Sequence, residues 1–355
     1  MIRSTKIAAA SVLALLAALV TACGSSGGQT IGAASFDCAK PDANPPRVEV
    51  TVSALPIVSN GALYLGVKEG FFSEHGLDVK IQPVASVAAG LAAAQGGTTS
   101  FAYTSTVSLF QALGNGVPLQ IVAPFAGIAP GYYDKMKAGD PAYQTEITAL
   151  VVNGDSGITR PRDLTGKTVA LMDVKGQSEL TTRYVIDHDG GDSSKVKFTN
   201  LGLADGANAL KAHKVDAAFS ADPFLSQLEQ AGGKVISWPG VETFHDGPTS
   251  ALVASTSYVT KNRDTVARFD CAVQQSAKYA NAHHDKVRAV IAAEQKVDPA
   301  TLDKAVVAHF YDYADLDGLN RFKQIMLDYK FLADDFTIKN VIVPEAVRPA
   351  QSADK

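Results

Sequence analysis

From Arg47 onward, short β-branched or apolar runs alternate with helical stretches, and this alternation restricts the fold more than any other feature of the chain. Val48–Val52, Leu77–Ile81, Ser100–Tyr103 and Leu119–Ala123 read as strands. Between them, Ser59–Glu69, Val87–Gln95 and Thr106–Leu113 read as helices, by apolar spacing and by the glycines that end them. Strands separated this regularly by helices argue for parallel βαβ units. Two strongly apolar runs, Ile147–Asn153 and Thr249–Ser255, bracket a second α/β block from about Thr148 to Phe244. A chain that builds one α/β unit, completes another and then returns needs two hinge crossings. The Gly-, Pro- and Tyr-rich stretch Phe125–Gln144 reads as a surface excursion able to reach a cleft. Helices are expected over Asn262–His283, Lys286–Gln295, Pro299–Tyr311 and Leu319–Phe331, with a loose end from Pro349.

The N-terminus sets the expected compartment. Arg3 and Lys6 precede an apolar run, Ile7–Val20, and then Val20-Thr21-Ala22-Cys23. A charged head, a short apolar core and a small-residue cleavage site describe a secretory signal, too short for a permanent membrane span. The last four residues resemble a bacterial lipobox, which implies a diacylglyceryl group on Cys23. Gly24–Thr30 is a flexible tether by composition. It also matches the G-x-S-x-G nucleophile elbow (Gly24, Ser26, Gly28), but without the strand before and helix after that such an elbow requires.

The mature chain of about 330 residues is too long for one ordinary core and suggests two domains. A net charge of −4 gives no basic excess, so no nucleic-acid partner is expected. With Cys23 lipidated, Cys38 and Cys271 remain as an even pair in an oxidising compartment, and a disulfide between them is expected in preference to two buried thiols.

Three segments carry a family resemblance. Leu63-Tyr64-Leu65-Gly66-Val67-Lys68-Glu69-Gly70-Phe71-Phe72, followed by Gly76-Leu77-Asp78-Val79, resembles the opening signature of the solute-binding proteins of ABC importers for nitrate, sulfonates, taurine and thiamine-type pyrimidines. Asp163-Leu164-Thr165-Gly166-Lys167-Thr168-Val169 resembles the start of that family's second lobe, and Lys214-Val215-Asp216-Ala217-Ala218 one of its strands. The resemblance runs from about Val48 to Phe269. It implies an α/β fold, the two-lobed clamshell of periplasmic-binding-protein type II, each lobe a mixed sheet flanked by helices, with two hinge crossings. On that frame residues 1–22 are a signal peptide and 23–46 a lipidated tether. Residues 47–146 and 248–343 form lobe 1, 147–247 form lobe 2, and 344–355 form a tail. The expected partners are a small-molecule solute, an ABC permease with its cytoplasmic ATPase, and the membrane through the lipid. The protein is expected to act as a monomer outside the cell, with no cofactor and no metal.

Ligands in such folds sit at the carboxyl ends of strands, where helix N-termini offer N–H groups. Four turns qualify. Ser59 and Asn60 cap the first helix. Tyr103, Thr104, Ser105 and Thr106 place hydroxyls at a strand-to-helix turn. Gly176, Gln177 and Ser178 form the best anion nest, with Lys175 beside it. Asp222 and Phe224 flank Pro223, the acid either accepting from a ligand N–H or complementing the helix dipole. Tyr132, Tyr133, Trp238, His245, Asp246 and Thr249 are further candidates near the crossings. The expected solute is a small organic molecule or an oxyanion: arginine and lysine are scarce in these loops, though helix ends can hold a small anion without them, and Asp222 tilts the reading towards a neutral or zwitterionic, cyclic molecule. His283 and His284 are adjacent and so diverge on a helix, which does not suit a metal pair. An alternative role is a lipoprotein that presents solute to a signalling partner. The fold also resembles enzymes of thiamine-pyrimidine and menaquinone synthesis, which act in the cytosol, where a lipobox would not place this chain.

Overall fold

The computed structural model describes residues 38, 45–84, 86–143, 147–222 and 224–346. The expected signal peptide, Cys23, most of the tether and the end of the tail lie outside the described residues. β1 (Val48–Ala54) leads through a single 3-10 turn into α1 (Gly61–Glu69) and the short α2 (Phe71–Glu74). β2 (Leu77–Pro83), α3 (Val87–Gln95), β3 (Phe101–Ser105), α4 (Thr106–Gly114) and β4 (Leu119–Pro124) follow. β5 (Ala126–Ile128) and α5 (Tyr132–Lys137) carry the chain outward. The second block comprises β6 (Thr148–Asn153), β7 (Thr168–Leu171), α6 (Gln177–His188), β8 (Lys197–Asn200), α7 (Leu203–Lys211), β9 (Ala217–Ala221), α8 (Phe224–Gln230), β10 (Gly233–Ser237) and α9 (Pro239–Phe244). β11 (Gly247–Pro248) and β12 (Ser250–Ser255) return it. α10 (Thr256–Lys261), α11 (Arg263–Ala282), α12 (His284–Gln295), β13 (His309–Phe310) and α13 (Leu316–Asp328) complete the described chain.

The strands form two five-stranded sheets of the same design. The first has the order β2-β1-β3-β12-β4 and the second, read from its other edge, β8-β7-β9-β6-β10. β12 runs antiparallel to both β3 and β4, and β6 antiparallel to both β9 and β10, whereas β1 pairs in parallel with β2 and β3, and β7 with β8 and β9. The two apolar runs that bracket the inserted block are therefore the single antiparallel strand of each sheet. Their continuous apolarity follows from burial on both faces. In the second sheet Leu150 and Val152 belong to one apolar cluster, and Ala149 and Val151 to another.

Gly70 ends α1 with φ 91°, and its N–H reaches the carbonyls of Gly66 and Val67. That left-handed conformation suits glycine and turns the chain so that Phe72 is buried against Phe269, ring centroids 5.4 Å apart.

The structure departs from the sequence reading in two places. Pro299–Tyr311 is not a helix: a 3-10 turn over Pro299–Leu302, started by Asp298 accepting from Ala300 N, gives way to the strand β13. Val306 and Val307 are β-branched, and the pairing of Phe310 with Ala126 recruits this segment as strand. The stretch from Phe125 is not a surface excursion at its start. Phe125, Ala126 and Ile128 are buried, and β5 is the centre of a three-stranded sheet, β11-β5-β13.

Cys38 and Cys271 form the expected disulfide, with a sequence separation of 233 and a Cα–Cα distance of 5.2 Å. Cys271 is buried on α11, so the bridge ties the segment before β1 to a core helix. The chain-entropy model assigns a loop of this length about 5 kcal/mol. Replacing both cysteines with alanine should therefore lower the urea midpoint with little change in slope, by up to that amount of stability; an unchanged midpoint would show that the bridge contributes nothing.

Candidate functional site

The two α/β blocks touch through elements that follow the carboxyl ends of their parallel strands. Gln111 of α4 donates from Nε2 to the carbonyl of Lys175, in the turn between β7 and α6, at 2.9 Å. Leu180 of α6 is fully buried within the apolar cluster centred on the first sheet. The expected ligand residues lie at the carboxyl ends of β1, β3, β7 and β9, in the last residues of those strands, in the turns after them or in the first turns of the helices that follow.

On the first lobe, Ser59 and Asn60 stand in the 3-10 turn before α1, but Asn60 does not cap that helix. Its Nδ2 instead donates back to Leu55 O at 2.8 Å, and its buried Oδ1 has no hydrogen-bond partner. The turn after β3 is more elaborate. Tyr103 is buried, and burial pushes its hydroxyl up to about 12, offset in part by a hydrogen bond with Ser250. Thr104 Oγ1 donates to Ser105 O, and Thr106 Oγ1 donates to Pro248 O at 3.1 Å. Ser105 is the cap of α4: its Oγ accepts from Ser108 N at 3.2 Å and donates to Ser108 Oγ at 3.0 Å.

On the second lobe, the expected anion nest is already filled. Asp173 accepts from Gln177 N at 3.0 Å and from Ser178 N at 2.8 Å, and Ser178 Oγ also donates to it. Lys175 N donates to Glu179 Oε2 at 2.7 Å, and Gly176 N to Asp173 O at 3.3 Å. From Lys175 through Ser178 every backbone N–H thus has an internal acceptor, so the donors on which the anion-nest expectation for Gly176, Gln177 and Ser178 rests are engaged within the chain. Asp173 is largely buried, and desolvation raises its carboxyl above the usual range against the pull of the hydrogen bonds from Ser178 and Gln177. Asp222 caps α8, with Oδ1 accepting from Ser226 N and Oγ at 3.2 and 2.6 Å. Phe224 packs against the core of this lobe.

The crossings are pinned to each other. Asp246 accepts from Gly131 N at 2.6 Å and from Tyr133 N at 3.4 Å, at the start of α5. His245 adopts φ 58° and stacks on Tyr133 with centroids 3.9 Å apart. Burial, aided by Arg321, holds the His245 imidazole below its usual range. Arg321 of α13 donates to Phe244 O and Asp246 O at 2.8 and 2.9 Å. Thr249 lies between β11 and β12, and its carbonyl accepts from Thr106 N. Trp238 is the residue before α9, and its N–H is held by Glu242. Two cavities accompany this region. One of 270 Å3 is lined by residues of β5 and β13 with Tyr132 and Tyr143. One of 360 Å3 lies between α6, α9 and α13. None of the residues expected on the four turns lines either cavity. Tyr132, expected as a stacking residue for ligand, lines the first, and His245 lines the second.

Sequence reasoning missed Asp173, Gln111 and Gly127. An acid four residues ahead of a helix start was a legible sign for Asp173. Gln111 carried no local signal, because its partner is 64 residues away. Gly127 is a matter of close approach: a Cβ there would meet Gly247 O and lie 2.7 Å from Pro248 Cα.

Comparison with known proteins gives a consistent family picture. A family model described as NMT1/THI5 like matches residues 59–130 and 140–287. The Bacillus subtilis protein YtlA is 26% identical over 233 residues, and the match spans 63% of this chain and 63% of that relative's length. The fold is similar to that of the alkanesulfonate-binding protein SsuA from Xanthomonas axonopodis pv. citri, at TM-score 0.65 and 14% identity, over 84% of this chain and 99% of that one. The periplasmic nitrate-binding protein NrtA of Synechocystis gives TM-score 0.66 and 14% identity, over 85% and 88%. The desulfurization enzyme DSZB also shares the fold, at TM-score 0.59 and 16% identity, over 84% and 97%.

The hinge geometry has a direct consequence. Gly127→Ala should cost about 1–3 kcal/mol by forcing β5 and β11 apart, whereas Asp246→Ala, which only removes acceptors at a helix start, should cost about 1 kcal/mol. Thermal denaturation of the two variants side by side checks the order; an equal or reversed effect would contradict the close approach at the crossing.

Proposed function

This chain belongs to the NMT1/THI5-like family, and from that premise we propose that it is an extracytoplasmic solute-binding protein of an ABC-type import system, which captures a small molecule between its lobes and delivers it to a membrane permease. The observation that carries this reading is the pairing of two sheets of one design whose carboxyl ends meet across a narrow, two-crossing hinge. Such a hinge converts solute contacts made by both lobes into closure, and closure is what a permease can read. The binding proteins SsuA and NrtA share the architecture. Both described cysteines are consumed in the disulfide, far from these turns in sequence, so neither supplies a nucleophile to the site.

Ser105, Thr104 and Asp222 are the residues we assign to solute contact, with Gln111 and Lys175 meeting across the cleft. The resemblance of Val20-Thr21-Ala22-Cys23 to a lipobox supports a lipid anchor on Cys23 at the outer face of the membrane, and Cys23→Ser should release the protein into the soluble fraction while leaving its melting temperature unchanged. Among the described residues no helix is long and apolar enough to cross a membrane.

The chain's single tryptophan, Trp238, stands beside the return crossing. A true solute should therefore change its fluorescence as the lobes close. At about 100 times its dissociation constant the solute should add about 2.7 kcal/mol of stability, seen as a rise in melting temperature. Solute-induced stabilisation that survives Ser105→Ala, Gln111→Ala and Asp222→Asn undiminished would place binding elsewhere.

A further inference from the structure

Resting on the solute-capture reading, we infer that the cleft selects an organic molecule without net negative charge, which presents an ammonium or N–H group to Asp222 and an alkyl or ring surface to the cleft lips.

The first ground is that the backbone donors at the start of α6, and several at the other turns, are already engaged within the chain. The backbone N–H groups of Lys175, Gly176, Gln177 and Ser178 are held by Asp173 and Glu179. Thr106 N is held by Thr249 O and Ser108 N by Ser105 Oγ. Asn60 N is held by Ile57 O and Ser226 N by Asp222. An oxyanion arriving at α6 would have to displace the Asp173 carboxylate and remain beside it.

Charge points the same way. The turns 55–60, 103–108, 172–179, 199–204 and 221–226 contain one lysine, Lys175, and no arginine or histidine, against Asp173, Glu179 and Asp222. Glu179 is balanced by Arg183 at 2.6 Å. A site built for a strong anion recruits guanidinium groups, and this one has none in its turns. Among the described residues Asp222 has hydrogen bonds on Oδ1 only, so Oδ2 is available to a donor.

The lips are apolar. Ile57, Met172 and Val174 are 36%, 48% and 41% exposed, and they stand in the turns of both sheets where the ligand residues are expected. Ile57 follows β1 and the other two follow β7, so both lobes contribute at their carboxyl ends. The remaining large exposed apolar side chain among the described residues, Val297, comes just after α12, whose Gln295 donates to Pro56 O. A ligand with an apolar body would cover surface that water now wets.

The test is isothermal titration of the disulfide-bonded protein with matched probes on two scaffolds, a butane chain and a benzene ring, each as sulfonate, amide and ammonium. Trp238 fluorescence is followed in parallel. The ammonium or amide members should saturate, and the sulfonates should bind roughly a hundredfold more weakly or not at all, because like charges must share the site. Asp222→Asn should weaken the ammonium probes and spare the amides. Asp173→Ala, once its melting curve shows it folded, should gain sulfonate binding, with Asp173→Asn as the second variant if alanine unfolds it. A sulfonate that binds wild type as tightly as its ammonium counterpart overturns this inference and leaves solute capture standing. No saturation by any probe in any of these proteins, with Trp238 unmoved, counts against capture by this cleft and takes the inference with it.

Discussion

The structure depends on where the chain crosses between its two sheets. Both crossings run past the carboxyl ends of the parallel strands, so the strand that begins there must run against its neighbours. β6 starts with Thr148 opposite Ala221, the last residue of β9, and β12 starts with Ser250 opposite Ser105, the last residue of β3. Each is then hydrogen-bonded on both sides. An interior strand cannot slip without breaking two ladders and turning its buried faces outward. The crossings are therefore anchored rigidly within sheets at one end, and whatever motion the lobes undergo must be absorbed in the short stretch between.

That short stretch is tightly specified. β5, β11 and β13 meet with Gly127 against the backbone of Gly247 and Pro248. Asp246 holds the start of α5, and Arg321 reaches from α13 to the carbonyls of Phe244 and Asp246. The Tyr311 hydroxyl donates to Ile128 O. The aromatic pair Phe244 and Phe322 stacks at 3.9 Å beside it. The last described helix, α13, thus braces the return crossing.

The site shows how helix termini change character when the chain supplies its own acceptors. A helix start usually offers unsatisfied N–H groups to an incoming anion. Here Asp173, Glu179, Ser105 and Asp222 take that place. Asp173 bears the cost of burial, visible in its raised carboxyl, because it anchors Gln177 and Ser178.

Much of this was legible along the chain. Alternating strands and helices, the bracketing apolar runs, the pairing of Cys38 with Cys271 and the turns bearing Ser105 and Asp222 all follow from local composition, because period, capping residues and cysteine parity act within a few residues or by simple counting. The misreading of Pro299–Tyr311 has the opposite origin. That segment is strand only because Phe310 meets Ala126, a partner nearly two hundred residues earlier in the sequence. The same holds for β5, for the contact of Gln111 with Lys175, and for the brace from Arg321, none of which has a sequence neighbour to announce it. By itself the sequence determined the elements, their order and the turns that carry polar groups. Only the tertiary structure decided which of those groups remain free for a ligand, because a hydrogen-bond donor at a helix start looks the same in sequence whether a carboxylate folds back onto it or not.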